Sequence, residues 1–226
     1  MSRSRSVLSL VSILVFGAAG ARAQAAPTVP QAPAGKPSKT WEKPMVDAMK
    51  PKPAGVNFDV SITESPVAAA NATEFARAVG AAGDRMVEGR GNRSPGSSAW
   101  SITWQWEQET HLGRCQFKDV RVRVTYTTDV AELAGPAATD SASLAWWTTY
   151  ADRRYATSID QLKLMRDAAK DIYQRMKLMS KNACSELSTQ ATELGRERLF
   201  VLRDEMTRTL GVRMGPIADP IRPPQD

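Results

Sequence analysis

Two periodicities share this chain without mixing, and their order restricts the fold more than any other feature. Trp100, Ile102, Trp104 and Trp106 alternate with Ser101, Thr103, Gln105 and Glu107. Val120, Val122, Val124 and Tyr126 alternate with Arg121, Arg123 and Thr125. A period of two puts each apolar set on one face of a strand, and the short polar connection at 111–114 joins the two as an antiparallel hairpin. Phe117 is out of phase with the valines, which predicts a bulge near Lys118 or Asp119. After Gly135-Pro136 the period turns helical: Leu144, Trp147, Ala151, Tyr155, Leu162, Met165, Ala169, Ile172, Met176 and Met179 share a stripe, with Asp140 or Ser141 as its cap. Another helix, from about residue 185 to 210, carries Leu187, Ala191, Leu194, Val201, Leu202 and Met206 on one face. Strands first and long helices afterwards predict an α+β domain: a small antiparallel sheet with a short helix, then two or three long helices.

The hairpin is preceded by a further strand, in which Val56, Phe58, Val60 and Ile62 alternate with Asn57, Asp59 and Ser61. Asn71 and Glu74 have the spacing of a helix-start capping arrangement, and Phe75 and Val79 give that helix a buried face. The single folded domain is therefore expected over 56–211. Residues 1–23 read as a cleaved export signal: Arg3 and Arg5, an apolar run over 7–19, then Ala21-Arg22-Ala23. That run falls short of the about 20 residues that span a bilayer. Residues 24–55 form a Pro-, Ala- and Lys-rich arm, expected to be flexible, disordered or polyproline-like, and 212–226 a Pro-rich tail with Pro216, Pro220, Pro223 and Pro224. Within the arm, Trp41, Met45 and Met49 would share one face of a helical turn, as in a docking peptide, with an idle linker patch as the equal alternative.

Arg3, Arg5 and Arg22 leave with the signal and no acid does, so the formal charge of +6 falls to +3. Lys36, Lys39, Lys43, Lys50 and Lys52 make the arm basic. Such an arm favours an anionic membrane surface or an acidic partner, although a solvated linker is the simpler reading. There is no dense basic stripe, so nucleic acid is not an expected partner. Cys115 and Cys184 are the two cysteines, which an oxidising compartment would pair.

His111 is the one histidine, so a Ser-His-Asp set would have to use it, and no Gly-x-Ser-x-Gly elbow presents a serine. Gly89-Arg90-Gly91 lacks the Lys-Ser/Thr of a phosphate loop. Glu107 and Glu109 on a strand end, and Asp167 and Asp171 one helical turn apart, have the spacing of a carboxylate pair and of a hard-cation site. Solvated faces are the ordinary outcome for both. Trp100, Trp104 and Trp106 have the chemistry to stack on sugar rings, but a shared strand face favours a core role.

The order of landmarks resembles a bacterial domain family described as secreted zinc-dependent proteases and catalogued as of unknown function. The resemblance is carried by the strand 100–107, Gly113-Arg114-Cys115, the strand 120–126, Trp147-x-x-Tyr150 before a long helix, and Cys184-x-x-Leu187 before another. It implies a zincin-like scaffold with His-Glu-x-x-His on the long helix, two histidines holding zinc and the glutamate activating water. Counted from Trp147 and Tyr150, those positions hold Thr157, Ser158 and Gln161, and Thr209 stands near where a further histidine is expected. The resemblance thus implies a degenerate member with no catalytic residues, no metal and no cofactor. The expectation is an exported accessory subunit, periplasmic or extracellular, that binds a protein partner in an envelope assembly. The rivals are a hydrolase with an unconventional site and a cell-wall glycan binder.

Overall fold

The computed structural model describes residues 42–80, 85–88, 95–211 and 213–214. Its elements run α1 (Glu42–Ala48), β1 (Val56–Ala68), α2 (Ala72–Gly80), β2 (Arg85–Glu88), β3 (Ser98–His111), β4 (Arg114–Ala134), α3 (Ser141–Lys177), β5 (Ser180–Lys181), α4 (Cys184–Leu210) and β6 (Arg213–Met214). The fold is α+β, as the two periodicities require. The export signal, the arm before residue 42 with Trp41, and the tail beyond 214 lie outside the described residues.

β3 and β4 form the expected antiparallel hairpin, with Trp104 opposite Val122 and Trp100 opposite Tyr126. Glu107 faces Asp119 while Gln108 faces Phe117, so Lys118 is the extra residue of a bulge. The bulge returns Phe117 to the buried face, where it is 5% exposed. The sheet is not antiparallel throughout. β1 lies parallel to β4, Val56 beside Val122 through Ala68 beside Ala134, and the strand order is β1-β4-β3-β2-β6 with β5 also on β4. Period two specifies which face of β1 is apolar. It carries no information on the neighbour or on direction, which the long excursion through α2, β2 and β3 settles as parallel.

Phe58 of β1, Trp100 and Ile102 of β3, and Val122, Val124 and Tyr126 of β4 face α3 and α4 across one core. The helices contribute Leu162, Met165, Ile172 and Met176 from α3 and Leu187, Leu202 and Met206 from α4, each with no exposed surface. Asn57, Asp59, Ser61, Gln105, Arg121 and Arg123 occupy the opposite, exposed face. Gly195 sits in the middle of α4, where glycine costs about 1 kcal/mol against alanine. A Cβ there would run into the indole of Trp104, so the glycine lets helix and strand approach.

Local chemistry sets the ends. Asn71 Oδ1 accepts from the Glu74 amide at 3.0 Å and Glu74 Oε2 accepts from the Ala70 amide at 2.7 Å, a reciprocal start for α2. Asp140 Oδ2 accepts from the Ser143 amide at 2.8 Å and caps α3. Its bonds to Ser143 hold the Asp140 carboxyl below the usual carboxylate range.

The domain begins earlier than the sequence pattern indicates. α1 packs on α3, with Met45 2% and Ala48 6% exposed inside the main core cluster. Arg166 Nη1 then donates to the carbonyls of Ala48 at 3.1 Å and Lys50 at 2.9 Å, clamping the end of α1 onto α3. The expected boundary at Val56 is thus corrected: residues 42–55 belong to the folded unit. β6 likewise pairs with β2, so residues beyond 211 also belong to the sheet.

Candidate functional site

The helical segment that the resemblance singles out lies on α3 where it crosses β3 and β4. Arg154, Ser158 and Gln161 recur at four and three residues, and all three face the sheet, 5%, 0% and 0% exposed. Thr157 is only half-buried, and its hydroxyl donates to the Arg153 carbonyl of its own helix at 3.0 Å. Thr209 is exposed on the last turn of α4.

Opposite the helix, the strands supply hydroxyls. Tyr126 donates to Gln161 Oε1 at 2.6 Å, and its oxygen lies 3.1 Å from Ser98 Oγ. Ser158 Oγ lies 3.1 Å from Thr128 Oγ1 and 3.0 Å from the Arg154 carbonyl. Ser98 Oγ is also 3.3 Å from Thr128 Oγ1 and accepts from Arg154 Nη2 at 2.6 Å. Ser98, Thr128 and Tyr126 have no exposed surface. Six polar side chains therefore form one closed cluster at the sheet–helix interface. Such groups are costly to bury unless bonded, and when bonded they fix helix against sheet.

Zinc takes imidazole nitrogen, thiolate sulfur or carboxylate oxygen. The neutral hydroxyls of Thr157 and Ser158 and the amide of Gln161 do not fit it, and the exposed Thr209 offers no more. Among the described residues no group of three or more His, Cys, Asp or Glu side chains is placed to hold a metal. Among the described residues, the cluster's hydroxyls bond to one another, to the Gln161 amide, to the Arg154 guanidinium and to the Arg154 carbonyl.

The other sequence candidates separate. Asp167 pairs with Arg166 at 2.9 Å, and Asp171 with Arg175 at 2.9 Å and Arg198 at 3.4 Å, so arginines neutralise the carboxylates proposed for a hard cation. Glu107 and Glu109 lie on the exposed end of β3, with Glu109 held by Gln116 Nε2 at 2.9 Å. Trp100 is 1% exposed, and Trp104 and Trp106 pack on the same core, so none of the three forms an open platform for a sugar. Met45 of the docking stripe turns into the domain's own core, and Met49 is half-buried. Cys115 and Cys184 are joined, with Cα atoms 5.2 Å apart, tying β4 to the first residue of α4. No described helix is long and apolar enough to cross a membrane.

Sequence reading missed Ser98, Thr128 and Arg154 as members of the cluster. Arg154 carried a signal: it stands four and seven residues before Ser158 and Gln161, on the face that also holds Tyr155 and Leu162. A charged residue in an otherwise core-facing stripe marks a buried polar contact.

No curated protein and no solved structure matches this chain. A family model does, over residues 62–206, and its description is "Bacterial protein of unknown function (DUF922)". The match runs from within β1 almost to the end of α4, takes in the hairpin, the polar cluster and both cysteines, and covers more than half of the sequence. The chain belongs to this bacterial family of unknown function.

Proposed function

We propose that the protein is an exported, non-catalytic member of a protease-like family that works by binding, as an accessory subunit of an envelope protein assembly. One observation carries the loss of catalysis. Ser158 and Gln161, at the positions of a catalytic glutamate and a zinc-binding histidine, are fully buried and committed to Thr128 and Tyr126. A substrate bond cannot reach a cluster whose six members are all buried, and among the described residues no group of His, Cys, Asp or Glu is placed there to hold a metal.

Export is supported by the signal-like first 23 residues and by the Cys115–Cys184 disulfide, which suits an oxidising compartment such as the periplasm. The partner is a protein. The Pro-rich arm is suited to lying along one, since extended segments give much contact per residue. Met45 is spent on the protein's own core, so the share of the arm available to a partner is the stretch that ends with Trp41.

The mature chain, beginning at Gln24, tests the reading in two assays. Incubated with an unfolded protein substrate, with and without zinc, it is expected to cleave nothing. Tagged and recovered from native membranes, it is expected to bring one stoichiometric complex. Hydrolysis that co-elutes with the monomeric protein would overturn the reading in favour of an unconventional hydrolase.

A further inference from the structure

We propose that the end of the domain where β3 turns into β4 and α3 into α4 docks on an anionic lipid surface. Leu112 and Leu178 enter the headgroup layer, and Arg114, Lys118, Lys177 and Lys181 lie beside the phosphates. The proposal takes the envelope location from the reading above and nothing from its protein partner.

Two turns meet at this end. His111 faces Arg114 across a two-residue connection, and β5, which follows α3, lies along the start of β4 with Ser180 beside Gln116 and Lys181 beside Cys115. Arg114 Nε donates to Ser180 Oγ at 3.0 Å, and the Cys115–Cys184 bond adds a covalent tie, so the two turns form one surface. Leu112 stands on the first turn and Leu178 ends α3. At 89% and 86% they are the two most exposed large apolar side chains among the described residues.

Leu112 works against its own turn. Its φ is +49° and that of Gly113 is +73°, so both central residues are left-handed. That pattern favours Asn-Gly and disfavours a bulky side chain. A leucine that strains the turn and buries almost nothing does not serve the fold, which points to a contact outside it.

Charge and residue type name the occupant. Segments 110–118 and 177–184 contain Arg114, Lys118, Lys177 and Lys181 and no acidic residue. Arg114 bonds to a neutral serine, and the three lysines are in no ion pair among the described residues. The acids that flank the segments are Glu109, Asp119 and Glu186, of which Asp119 is neutralised by Arg121 at 2.6 Å. Protein interfaces are depleted in lysine and take their anchors from aromatic side chains and arginine, with leucine under-represented. The one aromatic residue in the two segments, Phe117, is buried. Exposed leucines beside lysines, whose aliphatic stems let the ammonium groups reach phosphate, are the chemistry of a lipid surface.

The test sediments the mature protein with sucrose-loaded vesicles of phosphatidylglycerol and phosphatidylcholine in equal parts, and with vesicles of phosphatidylcholine alone. Binding is expected to the first, weakened by salt, and to be at least about tenfold weaker to the second. Leu112→Asn/Leu178→Gln should lower partitioning about tenfold, and Lys118→Gln/Lys177→Gln about twenty-five-fold, at about fivefold for each charge. Leu112→Asn suits the left-handed turn, so its melting temperature should be no lower than the parent's, which separates lost docking from lost folding. A parent protein that stays in solution beside anionic vesicles would overturn the proposal. So would variants that sediment like the parent, which would move lipid contact to the basic arm. A leucine variant that keeps its vesicle binding but loses the complex recovered from native membranes would also overturn it, and would make this end a protein-docking surface. None of these results touches the hydrolysis assay, so failure here leaves the non-catalytic reading standing.

Discussion

Replacing Cys115 and Cys184 by serine removes the one covalent tie between sheet and helices, and the structure says where the cost should appear. The bridged residues are 69 apart, and the closed loop contains most of β4, all of α3 and β5. Chain-entropy arguments value a loop of that length at about 4 kcal/mol, nearly all of it through restriction of the unfolded ensemble. The folded geometry does not depend on the bridge alone. Arg114 Nε donates to Ser180 Oγ at 3.0 Å, and Gln108 Nε2 reaches the Cys184 carbonyl at 3.1 Å and Ser188 Oγ at 2.7 Å. Those contacts persist in the double serine variant, so its native circular dichroism should match that of the parent. Cys115 is 1% exposed, and a hydroxyl in its place adds about 1 kcal/mol for a polar group without its water. Urea unfolding at neutral pH should then show a loss of about 4–5 kcal/mol. The m-value should rise, because the chain without its cross-link exposes more surface when it unfolds. A loss under about 1 kcal/mol with an unchanged m-value would refute this reasoning, since the bridge would then not be restricting the unfolded chain.

Met45→Ala empties a site that is 2% exposed and should destabilise the whole domain by about 2–4 kcal/mol; an unchanged urea midpoint would show that α1 is not part of the core. Gly195→Ala gains helix propensity but drives a methyl into the Trp104 indole, for a net loss of about 1–2 kcal/mol that Trp104→Phe should partly relieve in a double-mutant cycle. Burial, and then the Glu64 carboxylate, push the Tyr155 hydroxyl up to about 12 from its ordinary 10.0. The folded state therefore holds this proton more tightly than the unfolded chain. Its contribution is complete below about pH 10 and should be lost as the pH rises toward 12, by about 2–3 kcal/mol in all. Tyr155→Phe should flatten that alkaline decline, and a parallel decline in both proteins would refute the assignment.

The elements legible in the sequence were those long enough to repeat their own period. β3 and the 120–126 stretch of β4 run through several alternations, α3 through ten turns, and each displays its buried face without outside help. Even the bulge at Lys118 was visible, because one residue of slip reverses the phase of everything after it. β2 and β6 hold four and two residues, too few for a period, and their strand character comes from the neighbours they pair with. The parallel placement of β1 was hidden for a different reason. Its alternation is clear, but an apolar face can be satisfied on either side of a sheet partner and in either direction.

The polar cluster and α1 were misjudged from opposite sides of one rule, that polar residues face water and short apolar patches in Pro-rich segments belong to partners. The resemblance assigns Ser158 and Gln161 only to the positions of a glutamate and a histidine, and says nothing of what the two side chains bond to instead. Their partners Thr128 and Tyr126 lie 30 and 35 residues earlier, on a strand whose valines announce only a core. A hydroxyl ending an apolar run and an arginine inside a helical core stripe are individually unremarkable. Their meaning appears only when the strand and the helix are laid face to face, so that the hydroxyls of Ser98, Tyr126, Thr128 and Ser158 meet one another, Gln161 Oε1 and Arg154 Nη2. Met45 shows the converse. Met45 does lie on a helix, α1, but a helical spacing says nothing about whether the surface it covers is foreign. Here α3 lies beneath it and Arg166 fastens the carbonyls that follow, so the chain is its own partner at that point. Periodicity identifies surfaces that must be covered, and only the three-dimensional arrangement of the rest of the chain decides what covers them.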